Sequence, residues 1–159
     1  MSIELRTLNY RDVDEVRDYL TLLAQISAHG DEFHVERSGE DIDRAVLKAR
    51  REEDESNTFA GVALERRVPG QRRQIVGLHI LRRFEEGPLV GAHIGGLWVL
   101  ERCRRQGIAR RLKAMGESWA RSIGAAFINT NVLVHNQRML DFNRSLGFSD
   151  YRINMRKRL

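Results

Sequence analysis

The chain has 159 residues, 42% of them hydrophobic and 31% charged, which suits a single domain over residues 1–159 built around one core. No apolar run approaches the ~18–20 residues of a membrane span, and the single cysteine, Cys103, excludes a disulfide framework and a cysteine-based metal cluster. The net charge of +5 is segregated, because residues 1–60 hold eight Lys/Arg against fifteen Asp/Glu while residues 61–159 carry +12.

Ile3, Leu5 and Thr7 alternate with Glu4 and Arg6, as in a half-buried strand. This N-terminal stretch carries acids and lacks the basic and apolar blocks of a secretory signal, so a cytoplasmic protein is expected. Asp12 is placed to cap a helix whose apolar positions are Val13, Val16, Leu20, Leu23 and Ala24. Residues 27–40 are polar and irregular, and a second helix is predicted over 40–51 with Ile42, Val46 and Leu47 as its stripe. Strands follow over 58–64, 75–81 and 92–100, the first two joined by the turn Val68-Pro69-Gly70-Gln71. A helix is predicted over 107–123 with Ile108, Leu112, Met115, Trp119 and Ile123 on one face. A buried strand over 125–132, a short helix over 136–146 and a last strand over 148–155 complete the chain. Early hairpins imply antiparallel pairing, and the strand–helix–strand unit from 92 to 132 implies a right-handed crossover between parallel strands. The fold class is therefore α+β with a mixed sheet.

The segment with the most chemistry runs from Leu97 to Ala109. The apolar strand Leu97-Trp98-Val99-Leu100 ends at a charged loop, and Gly107 opens a helix. A helix N-terminus presents about four unpaired N–H groups and a partial positive charge, which favours phosphate. Gly107 lets a ligand approach the backbone, Ala109 is small, and Arg104, Arg105, Arg110 and Arg111 surround the helix start with charge. The residue pattern fits an ordinary strand–loop–helix connection with a basic rim equally well. It lacks the G-x-x-x-x-G-K-[ST] and G-x-G-x-x-G patterns, which argues against a nucleotide-hydrolysing P-loop and a dinucleotide fold.

Arg104-Arg105-Gln106-Gly107-Ile108-Ala109 resembles the R/Q-x-x-G-x-G/A motif of the GCN5-related N-acetyltransferases (GNAT), and it follows a Leu-Trp-Val strand as that motif does. Asn136-Gln137-Arg138-Met139 and Leu146-Gly147-Phe148 resemble the family's second signature, an Asn opening a helix that ends in Leu-Gly-Phe. The resemblance implies an α/β/α sandwich with a mixed, mostly antiparallel sheet whose parallel fourth and fifth strands splay apart. It implies acetyl-CoA as cofactor, with the backbone of Leu97, Trp98 and Val99 pairing with the pantetheine arm and a Leu97 or Trp98 N–H polarising the thioester carbonyl. The amides of Arg104, Arg105, Gln106, Gly107, Ile108 and Ala109, with Arg110 nearby, would hold the pyrophosphate, and Asn136 would bond the cofactor from the other side. The implied activity is direct transfer of an acetyl group to a primary amine of a small molecule or peptide.

Two positions depart from the family's pattern. Asn143 stands where many relatives carry an acidic tyrosine, and its amide can hydrogen-bond a thiolate but not protonate it. Gly95, followed by Gly96, stands where many carry a strand carboxylate, and the pair suggests a bulge or open space. His93 shares the face of Gly95 by strand alternation and is the candidate base; His79 is a second. In the family the segment between the first two helices helps form the acceptor site, and here it carries His29, Asp31, Glu32, His34 and Glu36, suited to a cationic amine. No metal is expected. Two other readings compete: a non-catalytic acetyl-CoA-binding domain, motivated by Gly95 and Asn143, and a nucleic-acid-binding domain, motivated by the basic half. Neither nucleic acid nor membrane is the expected partner, and the last strand with its basic tail suits pairing between two copies in a homodimer.

Overall fold

The computed structural model describes residues 2–30, 39–51, 56–66, 70–153, 155 and 157. Five strands form one sheet in the order β1 (Ser2–Thr7), β2 (Thr58–Arg66), β3 (Gln74–Glu86), β4 (Leu89–Val99) and β5 (Phe127–Thr130). The first three pairings are antiparallel, and β5 lies parallel to β4. The helices are α1 (Val13–Gly30), α2 (Gly39–Arg51), α3 (Ile108–Ser122) and α4 (Gln137–Arg144), and one 3-10 turn spans Glu101–Cys103. The chain divides into two compact units, Met1–Asn129 and Thr130–Leu159.

Alternation along the strands explains the layering of the first unit. Ala60, Val62 and Leu64 of β2 and Leu78 and Ile80 of β3 form one cluster with Val16 and Tyr19 of α1 and Val46 of α2. The opposite sheet face buries Ala63, Val76 and Val99 against Ile108 and Leu112 of α3, and Phe59, Leu81 and Ala92 against Ala120. Helices on both faces give the expected α/β/α sandwich. As read from the sequence, Asp12 caps α1: its Oδ1 accepts the Glu15 N–H at 3.0 Å. Glu15 is buried and bridges back to β1, taking both Arg6 guanidinium nitrogens at 2.9 and 2.6 Å and the Asn9 N–H at 2.9 Å.

Several boundaries differ from the sequence reading. α1 continues through residues 27–30, which read as irregular. β3 and β4 extend to a tight turn at Gly87, because Arg82, Arg83, Glu85 and Glu86 pair across the hairpin with His93, Ala92, Val90 and Leu89. The strand expected over 148–155 is not formed among the described residues. Tyr151, Ile153 and Met155 do alternate, but they are 70%, 89% and 93% exposed, and a strand exists only where a neighbour accepts its hydrogen bonds. Val68 and Pro69 of the predicted turn lie outside the described residues, and Gly70 has the positive φ of +85° that a turn glycine adopts.

Candidate active site

The site is organised by a bulge in β4. Ile80 pairs with Gly96 and Leu81 with Ile94, so Gly95 is the extra residue. A Cβ on Gly95 or on Gly96 would stand 3.3 or 3.4 Å from the same Ile80 methyl, and one on Gly96 would lie 3.7 Å from Leu23 of α1. Both glycines therefore face α1 with little room for a Cβ against Ile80, and of the bulge or open space that the pair suggested, the bulge is what forms. Ala92 and Ile94 pack on the α3 face, so His93 between them faces α1 with Gly95, half-buried and paired in register with Arg82.

Hydrogen-bond parity assigns directions to the β4 backbone. The Leu100 N–H donates to the Val76 carbonyl at 2.8 Å, and the register continues without interruption to Ile80 and Gly96. Antiparallel pairs alternate between bonded and non-bonded, so Trp98 and Gly96 spend their backbone groups on β3. Leu97 and Val99 direct theirs to the opposite edge. β5 has only four residues and begins where Ala126 N–H meets the Val90 carbonyl at 2.8 Å, so β4 runs on well past its end. Of the two amides proposed to polarise the thioester, parity favours Leu97; Trp98 is committed to Leu78. On the same edge, Arg104 Nε donates to the Val99 carbonyl at 2.9 Å.

Beyond β4 the chain forms a concave run of amides. Arg105 (φ +62°) and Gly107 (φ +76°) are both left-handed, and Gly107 is the N-cap of α3 with no side-chain cap. The N–H groups of Arg105, Gln106, Gly107, Ile108 and Ala109 donate to no partner among the described residues. A Cβ on Gly107 would meet nothing within 4 Å, so the space in front of the helix is open. This loop is anchored by a contact the sequence reading missed. Arg102 takes the carboxylate of Glu65, only 3% exposed on β2, through Nη1 at 2.9 Å and Nη2 at 2.8 Å, and the pairing raises the guanidinium's pKa. Cys103 is buried behind the loop, with Arg102 Nη1 3.0 Å from its Sγ. The open amides and the arginines of the loop fit a pyrophosphate, and the free edge of β4 fits an extended amide-bearing arm.

His79 lies on the other sheet face, 1% exposed, with Nδ1 3.0 Å from the Gly96 carbonyl oxygen. Gly116 of α3 leaves room for its ring, since a Cβ there would stand 3.0 Å from Nε2. Burial lowers the His79 pKa to about 4, the Gly96 hydrogen bond opposes that shift, and the charge of Lys113 adds to it. Lys113 is itself buried on α3, and desolvation brings its pKa down to about 8. Tyr19, on the α1 face, has a buried hydroxyl with no hydrogen-bond partner among the described residues; burial raises its pKa, Tyr10 adds to that, and Arg82 opposes it.

In the second unit, Asn136 is the N-cap of α4, and its Oδ1 accepts the Met139 N–H at 3.2 Å. Asn143 is 5% exposed, and its Oδ1 is buried with no hydrogen-bond partner among the described residues. His29 falls in the last turn of α1, and Asp31, Glu32, His34 and Glu36 lie outside the described residues. Among the described residues no group of three His, Cys, Asp or Glu side chains is placed to hold a metal, and no helix is long and apolar enough to cross a membrane.

Residues 22–148 match the model of the acetyltransferase (GNAT) family. No curated protein sequence matches the chain significantly. Among solved structures, glucosamine-6-phosphate N-acetyltransferase from Arabidopsis thaliana superposes with a TM-score of 0.72 at 19% identity, covering 99% of both chains. An aminoglycoside acetyltransferase from an uncultured soil metagenomic sample gives 0.71 at 17% identity, over 99% of this chain and 96% of that one. The acetyltransferase AAC(6')-Iy, solved with a bisubstrate analogue containing CoA, gives 0.66 at 16% identity over 100% of both. At these identities the structures report the fold, and the family match reports the lineage. A sheet with a bulged fourth strand, a free edge beyond a short parallel fifth and an amide-lined loop opening α3 thus agrees with that match: the chain belongs to the GNAT family of acetyl-CoA-dependent N-acetyltransferases.

Proposed function

We propose that this enzyme acetylates a primary amine of a small molecule, with its own backbone supplying most of the catalytic groups. The observation that carries the reading is the run of five amides, Arg105 to Ala109, that have no partner among the described residues, beside the edge of β4 that is free among them. Bound acetyl-CoA supplies the acetyl group as a thioester. The loop amides and the guanidinium of Arg110 hold its pyrophosphate, and Leu97 and Val99 pair with its pantetheine arm. Arg104, expected to lend its amide to this cradle, does not: its N–H donates to the Glu101 carbonyl at 3.1 Å, and its side chain closes the strand edge at Val99. The Leu97 N–H points to where negative charge develops on the carbonyl oxygen.

His93, on the α1 face beside the bulge, takes the proton from the attacking ammonium. The family resemblance is what assigns Asn136 to the cofactor and Asn143 to the departing sulfur; within the second unit itself, Asn136 Oδ1 is used by the helix cap. A thiol pKa near ~8.5 lets the leaving group depart without a strong acid. The acceptor's amine approaches over the α1 face. Structurally similar enzymes include ones named for amino sugars and aminoglycosides, and the acidic first 60 residues favour a cation of that kind. The dependence on acetyl-CoA and the single cysteine support a cytoplasmic setting.

CoA at 100 times its Kd is expected to stabilise the protein by about 2.7 kcal/mol. No melting shift at millimolar CoA would remove the reading. Thiol release from acetyl-CoA across a panel of amino sugars, aminoglycosides, polyamines and peptides then identifies the acceptor. Binding without release for any amine favours a cofactor-binding domain, the alternative that Gly95 and Asn143 motivate.

The exposed alternation of Tyr151, Ile153 and Met155 supports a homodimer in which this segment finds a strand partner. Sedimentation should give twice the 18.4 kDa chain mass, and Ile153→Asp should return it to a monomer.

A further inference from the structure

We infer that His79 is a positioning residue for acetyl transfer: its Nδ1–H holds the Gly96 carbonyl and thereby fixes the Gly96–Leu97 peptide with the Leu97 N–H turned to the free edge of β4. The inference rests on the reading of this chain as an acetyl-CoA-dependent enzyme, and it concerns a residue on the sheet face away from the acceptor.

A carbonyl oxygen can only accept, so the 3.0 Å contact requires the proton on Nδ1. The ring is held in place. It is 1% exposed, meets Phe59 edge-on with ring centroids 6.2 Å apart, and fills the space that Gly116 leaves in α3. The Gly96 oxygen also lies toward β3 by ladder parity, and its two lone pairs allow one bond from the Ile80 N–H and one from His79.

A peptide unit is planar and trans, so its C=O and N–H point in opposite directions. Holding the Gly96 oxygen on the β3 side therefore holds the Leu97 hydrogen on the other side, the side to which the thioester would bind. The constraint matters at this position more than elsewhere in the strand. Gly95 and Gly96 form the bulge, have no side chains to pack, and have the widest conformational choice of any residue. An oxyanion donor must be oriented before the reaction to be effective. β4 cannot provide that rigidity itself; the Ile80 N–H supplies one bond from the neighbouring strand and His79 the second.

Two variants and one measurement without substrate test this. His79→Leu keeps the bulk and removes the donor, whereas His79→Asn keeps an N–H attached to Cγ as Nδ1 is. His79→Leu is expected to lower kcat by about 10–100-fold, less than or equal to the effect of deleting an oxyanion donor outright. The Kd for CoA should stay within about threefold of wild type, because the pyrophosphate loop is untouched. His79→Asn should recover kcat to within about fivefold of wild type. In the unliganded protein, ¹⁵N spectra of the imidazole should show the Nδ1–H tautomer.

An Nε2–H tautomer overturns the inference, as does wild-type turnover in His79→Leu. So does a His79→Asn enzyme that melts like wild type but turns over as slowly as the leucine variant. If the leucine variant does not fold, the tautomer and the asparagine variant still decide. Failure of the wild-type protein to bind CoA would instead overturn the functional reading on which this one stands.

Discussion

Gly107→Asp is expected to weaken CoA binding by about 100-fold or more while changing the melting temperature little. The fold has room for the side chain, since a Cβ at Gly107 meets nothing within 4 Å. The backbone cost arises from φ of +76°, roughly 1–2 kcal/mol for an L-residue and least for Asp and Asn. Against that, a carboxylate at a helix N-cap accepts first-turn N–H groups and favours the helix. Both properties oppose a pyrophosphate. The carboxylate takes the amides that the loop leaves open, and it places a negative charge where two more must sit, a juxtaposition that costs several kcal/mol. Gly107→Asn separates the two effects, because it can take the amides without adding charge, and it should lose about tenfold. Calorimetric titration of CoA into the three proteins makes the comparison. An unchanged Kd in the aspartate variant would place the pyrophosphate elsewhere.

The second large effect concerns acid. His79 has a folded-state pKa of about 4 against an ordinary value of 6.5. Between those values the unfolded chain binds a proton that the folded chain refuses, so the unfolded state gains as pH falls. The stability is fully present above pH 6.5 and is lost as pH drops toward 4, by about 3 kcal/mol over the window. Protonation is resisted because the ring is enclosed between β3, β4 and α3, with the buried ammonium of Lys113 facing it. Denaturant unfolding at pH 7 and pH 4.5 should show this loss in wild type on top of whatever the carboxylates contribute. In His79→Leu the loss should shrink by about 2–3 kcal/mol. Equal losses in the two proteins would show that the imidazole is not enclosed in the native state.

Much of this site was legible before the structure, and the reason differs from residue to residue. The segment from Arg104 to Ala109 stood out because a strand, a glycine and a helix start follow in direct succession; the residues alone fitted an ordinary connection equally well, and the family resemblance is what made it a candidate phosphate loop. The bulge at Gly95 was foreshadowed by paired glycines inside an apolar strand. His79 was not readable in its role, because its contact with the Gly96 carbonyl depends on the β3–β4 register and that register shifts at the bulge. The burial of Lys113 was not readable for a related reason. Periodicity assigns a polar residue of an amphipathic helix to solvent, yet small neighbours at Gly116 and Ala120 let α3 approach the sheet closely enough to bury it. The Glu65–Arg102 anchor joins residues 37 apart, and nothing local marks it. The strand expected over 148–155 is not formed among the described residues: Tyr151, Ile153 and Met155 alternate, but pairing needs a neighbour that no local pattern specifies.

A sheet edge that could take an extended ligand is also open to any other extended chain. The bond from Arg104 Nε to the Val99 carbonyl bears on that hazard. It occupies the last outward-facing acceptor of β4 with a bulky cation, so the usable edge ends there and begins only where β5 stops. A segment that short accommodates a pantetheine arm but offers an invading strand too few hydrogen bonds to form a stable ladder. Removing the guanidinium would lengthen the edge by one acceptor, and with it the risk of strand-mediated aggregation in the cofactor-free enzyme.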